Sequence, residues 1–128
     1  MNGLLRAERD IFRDRLSRMR VPVHLLVFTR GEGSRAAAAR QLGRELRTLS
    51  PDVHLELHDV DANPLLAARY GIGRTPAFAL LTGGVIIEDT CIRFYGLPEG
   101  AVRADLVDSM VALGGGDRTT MEGRRAHA

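Results

Sequence analysis

Residues 24–42 read HLLVFTRGEGSRAAAARQL. An apolar run meets Gly31-Glu32-Gly33-Ser34-Arg35-Ala36, and an alanine-rich stretch of helical character follows. Taken literally, this is a strand feeding G-x-G-x-x-A, the turn that brings a dinucleotide's pyrophosphate to a helix N-terminus. A more modest chemistry is also open. Gly31 and Gly33 let backbone approach a ligand, the helix start offers free N–H groups, and Arg30, Ser34 and Arg35 surround them, a set that can hold an anion. The stretch can equally be a glycine-rich turn whose Glu32 neutralises its neighbours. The rest of the chain decides between these readings.

A chain of 128 residues is the size of one domain with a single core. Apolar residues make 45% of it and charged residues 27%, so neither a fibrous nor a disordered composition applies. No apolar run reaches the roughly 18 residues of a membrane helix, so a soluble protein away from membranes is expected. The opening MNGLLRAERDIFRDRLSRMR is too charged for a secretory signal, and Glu8, Asp10 and Asp14 argue against an Arg-rich transit peptide. A cytoplasmic location is the expectation. Cys91 is the only cysteine, which excludes a disulfide framework and a Cys-based zinc site within one chain. Residues 1–50 hold eleven Arg against five acids, and residues 51–128 hold seven against eleven. The Arg residues are interleaved with acids and accompanied by only four Phe and two Tyr, so nucleic acid is not an expected partner.

Periodicity predicts an amphipathic helix over residues 3–19, with Leu5, Phe12, Leu16 and Met19 in one stripe and Asp14 four before Arg18. Packing on its own domain is the plain use of that stripe; a homodimer or membrane-surface contact is the other. Val21-Pro22 breaks the helix, because the residue before proline leaves the α region. Residues 23–28 form a strand apolar on both faces. Ser34 is the expected N-cap of a helix running to Leu49, with Ala38, Ala39, Leu42, Leu46 and Leu49 buried. Ser50-Pro51-Asp52 is a turn. Residues 53–58 alternate with period two and make a half-buried strand. His54, Glu56 and His58 share its polar face, but alternate positions lie about 6–7 Å apart and converge poorly on a metal. No metal is expected.

Asp61 or Asn63 with Pro64 opens a short helix packed through Leu65, Leu66, Ala68 and Tyr70, and Gly71 ends it. Residues 77–81 and 85–95 are strands joined by Thr82-Gly83-Gly84, a tight hairpin signal. Leu97-Pro98 starts a last helix with Val102, Leu106, Met110 and Leu113 as its stripe. Gly114-Gly115-Gly116 stops it. One domain over residues 1–113 and a disordered tail over 114–128 are expected.

The element order is α-β-α-β-α-β-β-α, a parallel βαβ unit followed by a hairpin and a closing helix. Within it, DVDANPLLAARYGIGRTPAFALLTGG (residues 59–84) resembles the thioredoxin superfamily: an acidic strand end, N-P, a short helix ending Y-G-I, then T-P before a strand. FYGLPEG (residues 94–100) and LSRMRVPVHLLVFTR (residues 16–30) resemble the N-terminal unit of the glutaredoxin-like protein disulfide oxidoreductases. The likeness covers residues 10–112 and one unit of a family built from two. It implies a thioredoxin-like α/β fold, a four-stranded mixed sheet flanked by helices, here with an extra N-terminal helix. It implies further that Pro76 is cis and faces the active site, and that the backbone before it pairs with an extended substrate.

The departure lies in the opening stretch. The family carries C-x-x-C at this helix start, and its positions fall on Gly33 and Ala36 or on Ser34 and Ala37, by a one-residue choice of alignment. Neither offers a sulfur. Exchange needs a thiolate and a second, resolving thiol, and a serine hydroxyl supplies neither. The dinucleotide reading is weaker still: Asp59 comes 28 residues after Gly31 rather than about 20, and no substrate domain accompanies it.

The sequence therefore predicts a redox-inactive thioredoxin fold that binds protein or peptide. Its degenerate active-site loop is Gly33, Ser34, Arg35, Ala36 and Ala37, and its peptide-binding residues are Arg74, Thr75 and Pro76. No cofactor and no catalytic residue is expected. Two alternatives stand beside it. One is a thiol-dependent oxidoreductase of monothiol glutaredoxin type using Cys91, in cell redox homeostasis; the plain reading of Cys91 is a strand thiol. The other is an anion or glutathione binder at Arg30, Gly31, Gly33, Ser34 and Arg35.

Overall fold

The computed structural model describes residues 3–115. Eight elements follow one another: α1 (Arg6–Leu16), β1 (Val23–Thr29), α2 (Ser34–Leu49), β2 (Val53–Asp59), α3 (Pro64–Arg69), β3 (Ala77–Thr82), β4 (Glu88–Tyr95) and α4 (Gly100–Leu113). The sheet order is β2-β1-β3-β4. β1 runs parallel to β2 and antiparallel to β3, and β4 completes the hairpin with β3. The sheet is therefore mixed, and β1 is buried on both faces except at His24.

Strand alternation sends the side chains of β1 to two cores. Val23, Leu25 and Val27 join Phe12, Leu16, Leu42, Leu46, Leu106 and Met110 beneath α1, α2 and α4. Leu26 and Phe28 join Val60, Ala67, Ala77, Ala79 and Leu81 on the opposite face, where α3 contributes Ala67 and Leu66. At roughly 1.5–3 kcal/mol for each fully buried large aliphatic, the first core dominates stability. Helix α2 lies unusually close to the sheet, because Gly43 faces it: a Cβ there would stand 3.0 Å from Leu55 and 3.1 Å from Val27.

Several boundaries differ from the sequence reading, each for a local reason. α1 is shorter than residues 3–19. Glu8 accepts the N–H of Leu5 at its start (3.1 Å), and at its end Ser17 bonds the Asp14 carbonyl while Arg18 and Met19 turn to i−3 carbonyls. Extended backbone before the helix then buries Leu4 and leaves Leu5 exposed, the reverse of the expected stripe. The rest of the stripe is spent within the chain, with Phe12, Leu16 and Met19 buried. Gly33, in extended backbone, is the N-cap of α2, and Ser34 is its first helical residue. In α3, Ala67 is buried while Leu65 and Ala68 are exposed.

The hairpin connection is longer than expected. Residues 83–87 lie outside both strands, so Val85, Ile86 and Ile87 are exposed despite their apolarity. α4 starts at Gly100 after extended Glu99, two residues past Pro98, and its buried stripe is Leu106, Val107, Met110 and Val111, with Val102 exposed. Gly114 is not tail. It is buried, its carbonyl accepts the N–H groups of Arg20 (2.7 Å) and Val21 (3.2 Å), and a Cβ on it would meet Met19 at 2.7 Å. The remainder of the expected disordered tail, residues 116–128, lies outside the described residues. No helix among the described residues is long and apolar enough to cross a membrane.

Candidate functional site

The carboxyl end of β1 and the start of α2 meet the loop that enters β3. Thr29 and Arg30 from the first, Gly33, Arg35 and Ala36 from the second, and Thr75 and Pro76 from the third line one cleft of about 150 Å³. The Thr75-Pro76 peptide bond is cis. The residues that the sequence singled out about forty positions apart are thus neighbours. Ser34 and Ala37 stand on α2 beside them but do not line the cleft, and neither does Arg74, which precedes Thr75 on the surface.

Each wall is held from outside. Thr29 is buried, and its hydroxyl accepts a hydrogen bond from Arg40 (3.1 Å). Arg40 also donates to the Gly31 carbonyl (3.3 Å) and to Glu32 (3.1 Å), which pins the turn between β1 and α2 and draws Glu32 away from the cleft. Gly31 sits at φ +69, a conformation that an L side chain resists. Arg30 pairs with Asp61 at 3.4 Å, both largely exposed.

The loop of residues 70–76 is held from β4. Arg93 donates twice to the Tyr70 carbonyl (3.2 and 3.1 Å), Tyr95 reaches the Gly71 carbonyl (3.4 Å), and the Gly96 N–H donates to the Pro76 carbonyl (2.8 Å). Arg93 is itself aimed by Asp89, at 2.6 and 2.9 Å. That hydrogen-bonded pair holds the Asp89 carboxyl below its ordinary range and pushes the Arg93 guanidinium up.

Four residues apart in a regular strand, Asp89 and Arg93 would be separated by about 13 Å of backbone. They meet because β4 spends the five residues from Asp89 to Arg93 on the span that β3 covers with three, from Leu81 to Ala79. Cys91 is the hinge of this bulge, at φ +65, with its N–H donated to Asp89 (2.9 Å). Ile92 and Phe94 pack on the main core, while Cys91 is exposed.

Arg40, Arg93 and Tyr95 are the residues that sequence reasoning missed. Arg40 matters through its bonds to the turn at residues 29–32, Arg93 and Tyr95 through bonds to backbone carbonyls more than twenty residues away, and only the bulge gives Arg93 its reach. On β2, His58 bonds Glu56 (3.0 Å) and His54 meets His24 edge to face (5.0 Å between rings). Among the described residues, no three His, Cys, Asp or Glu side chains gather as a metal set. A larger cavity, about 750 Å³, lies between the chain before α1 and the flank of α2, but its buried Glu45 is already engaged by Leu4 N–H (2.6 Å), Gln41 (3.0 Å) and Arg9 (3.5 Å).

Solved structures resemble this arrangement. The NTD_N/C domain of alkylhydroperoxide reductase AhpF from Enterococcus faecalis superposes with a TM-score of 0.76 at 23% identity, covering 87% of this chain and 53% of that one. A protein disulfide oxidoreductase from Aeropyrum pernix gives 0.71 at 22% identity, over 88% of this chain and 50% of that one. A thioredoxin from Halobacterium salinarum gives 0.54 at 23%, over 85% and 88%. The chain spans about half the length of the first two. No protein-family model matches it, and neither does any curated protein sequence. At these identities the likeness establishes the thioredoxin-like fold, and with Cys91 as the single cysteine there is no C-x-x-C in it.

Proposed function

We propose that this protein is a thioredoxin-fold binding module that holds an extended segment of a protein partner without exchanging disulfides with it. The observation that carries the reading is the cleft itself: the start of α2 and the Thr75-Pro76 loop form one concave surface, and no sulfur lines it. Thr75 lies just before β3 and outside its pairing with β1, so its backbone is placed to bond an added strand. The braces from Arg93, Tyr95 and Gly96 fix that backbone in advance, which lowers the ordering cost of binding. The neighbours that share the fold include redox proteins, and the loss of the paired cysteines is what separates this chain from their chemistry.

The test is amide chemical-shift mapping of the protein with decapeptides selected from a random library. Shifts confined to residues 30–37 and 74–77, and abolished by Thr75→Pro, are expected. Shifts elsewhere, or binding indifferent to that substitution, would refute the reading. The oxidoreductase alternative is separated by insulin reduction in dithiothreitol, comparing wild type with Cys91→Ser. No acceleration by either is expected; acceleration lost in the variant would make Cys91 a working thiol.

A further inference from the structure

We infer that the segment taken by this cleft is acidic. The inference rests on the binding reading above and adds the chemistry of the occupant. It comes from two guanidinium groups at the cleft mouth. Arg35 stands on the first turn of α2, and its Nη2 lies 3.8 Å from where a side chain on Gly96 would begin. Arg74 lies with its Cζ 4.9 Å over the ring of Tyr95. The two are thus held over consecutive residues, and Gly96 fastens that edge to the Pro76 carbonyl at 2.8 Å.

Among the described residues, neither Arg35 nor Arg74 forms an ion pair. Their neighbours do: Arg30 has Asp61, Arg40 has Glu32, and Arg93 has Asp89. Glu32, the acid nearest in sequence to Arg35, is turned to Arg40 instead. The mouth therefore carries two positive charges without an acidic partner among the described residues, one rising from the first turn of α2 and one lying over an aromatic ring. Guanidinium forks of this kind match carboxylate and phosphate geometry alike, and the carboxylates of Asp and Glu are the form an unmodified protein segment carries.

Volume decides what bears the carboxylates. About 150 Å³ is half the lower end of the range for small-molecule sites, roughly 300–1,000 Å³. A free nucleotide or comparable anion would stand mostly in water. One short side chain of an extended segment fits, with its flanking acidic residues reaching Arg35 and Arg74 outside.

An array of random, cysteine-free decapeptides probed with the full chain tests this. Binders enriched in Asp and Glu are expected. Arg35→Gln with Arg74→Gln should weaken them about tenfold at low salt, each exposed pair being worth roughly 0.2–1 kcal/mol, and 0.5 M salt should do much the same. Arg35→Glu with Arg74→Glu should turn the enrichment toward Arg and Lys. Both positions are exposed, so thermal melts of these variants should match wild type. Binders sensitive to Thr75→Pro but without acidic enrichment would overturn the inference and leave the binding reading standing. Acidic enrichment that survives the double substitution would overturn it too. An absence of any binder sensitive to Thr75→Pro would remove both.

Discussion

On one face of the sheet, three helices press Phe12, Leu16, Leu42, Leu46, Leu106 and Met110 onto β1 and β3. On the other, a single six-residue helix sets Leu66 and Ala67 over Leu26, Phe28, Ala77, Ala79 and Leu81 of the sheet. The loop bearing Thr75 and Pro76 leaves that thinner face and enters β3. Tyr70 and Ile72 pack it against the second core, and Arg93 and Tyr95 hold it further through hydrogen bonds to its carbonyls. The difference separates two tasks. The thick face keeps the chain folded, and the thin face sets the shape of the Thr75-Pro76 loop, so changes on the second should alter the loop before they alter the fold.

The sharpest way to break this division is Phe78→Ala, on the thick face. Phe78 is fully buried, and its truncation should cost about 3–5 kcal/mol in denaturant unfolding. A cost below about 1 kcal/mol would show that the two faces do not differ as described. Arg93→Ala should cost less, about 1–3 kcal/mol, because it leaves the Tyr70 carbonyl and Asp89 without their partner. Its larger signature should be local: faster amide exchange over residues 70–76, with α2 and α4 unaffected. Uniformly faster exchange would mean that the loop is not a separate unit.

The next step down is the bulge. Cys91→Val puts a β-branched side chain at φ +65 and should destabilise by about 1 kcal/mol, whereas Cys91→Gly should be neutral or slightly stabilising. Equal melting of the two variants would deny the bulge its left-handed residue. The smallest effect concerns acid. Asp89 titrates below the ordinary carboxylate range because Arg93 bonds its charged form. The pair's contribution is therefore complete above the usual carboxylate value and is lost as pH falls through the lowered one. Asp89→Asn should therefore remove that contribution at neutral pH, flatten the acid limb of the stability profile below about pH 4 and bring variant and wild type together in acid. An acid limb as steep as wild type would assign the loss to other carboxylates.

What the sequence made legible follows the same division. Hydrophobic periodicity reported all eight elements, because burial against a large core imposes a regular pattern on each strand and helix. The candidate cleft was legible at Gly33, Arg35, Thr75 and Pro76, since glycines at a strand end and the T-P pair are local signals. The braces were not. Arg40, Arg93 and Tyr95 act on carbonyls of the chain, which every residue possesses and no side-chain pattern marks. Val85, Ile86 and Ile87 misled for the opposite reason: they look like strand, yet the turn at Gly83 (φ +112) carries them into solvent. Leu4 and Leu5 were exchanged because adjacent leucines give no phase until the backbone before α1 is known to be extended.

The position of β1 at the centre of the sheet also governs how the chain reaches this state. Its parallel partner begins after α2, with Val23 opposite Val53, and its antiparallel partner lies further on, with Phe28 opposite Ala77 and Val23 opposite Thr82. The β3–β4 hairpin needs only its own residues, a search completed in about 1–10 μs. Joining β1 to it means closing a loop of some fifty residues, whose entropy must be lost before the central contacts form. Folding of this domain should thus be limited by the meeting of its two halves at the β1–β3 seam, slower than a helical bundle of the same length. The strand most protected once folded is the one that waits longest for its second neighbour.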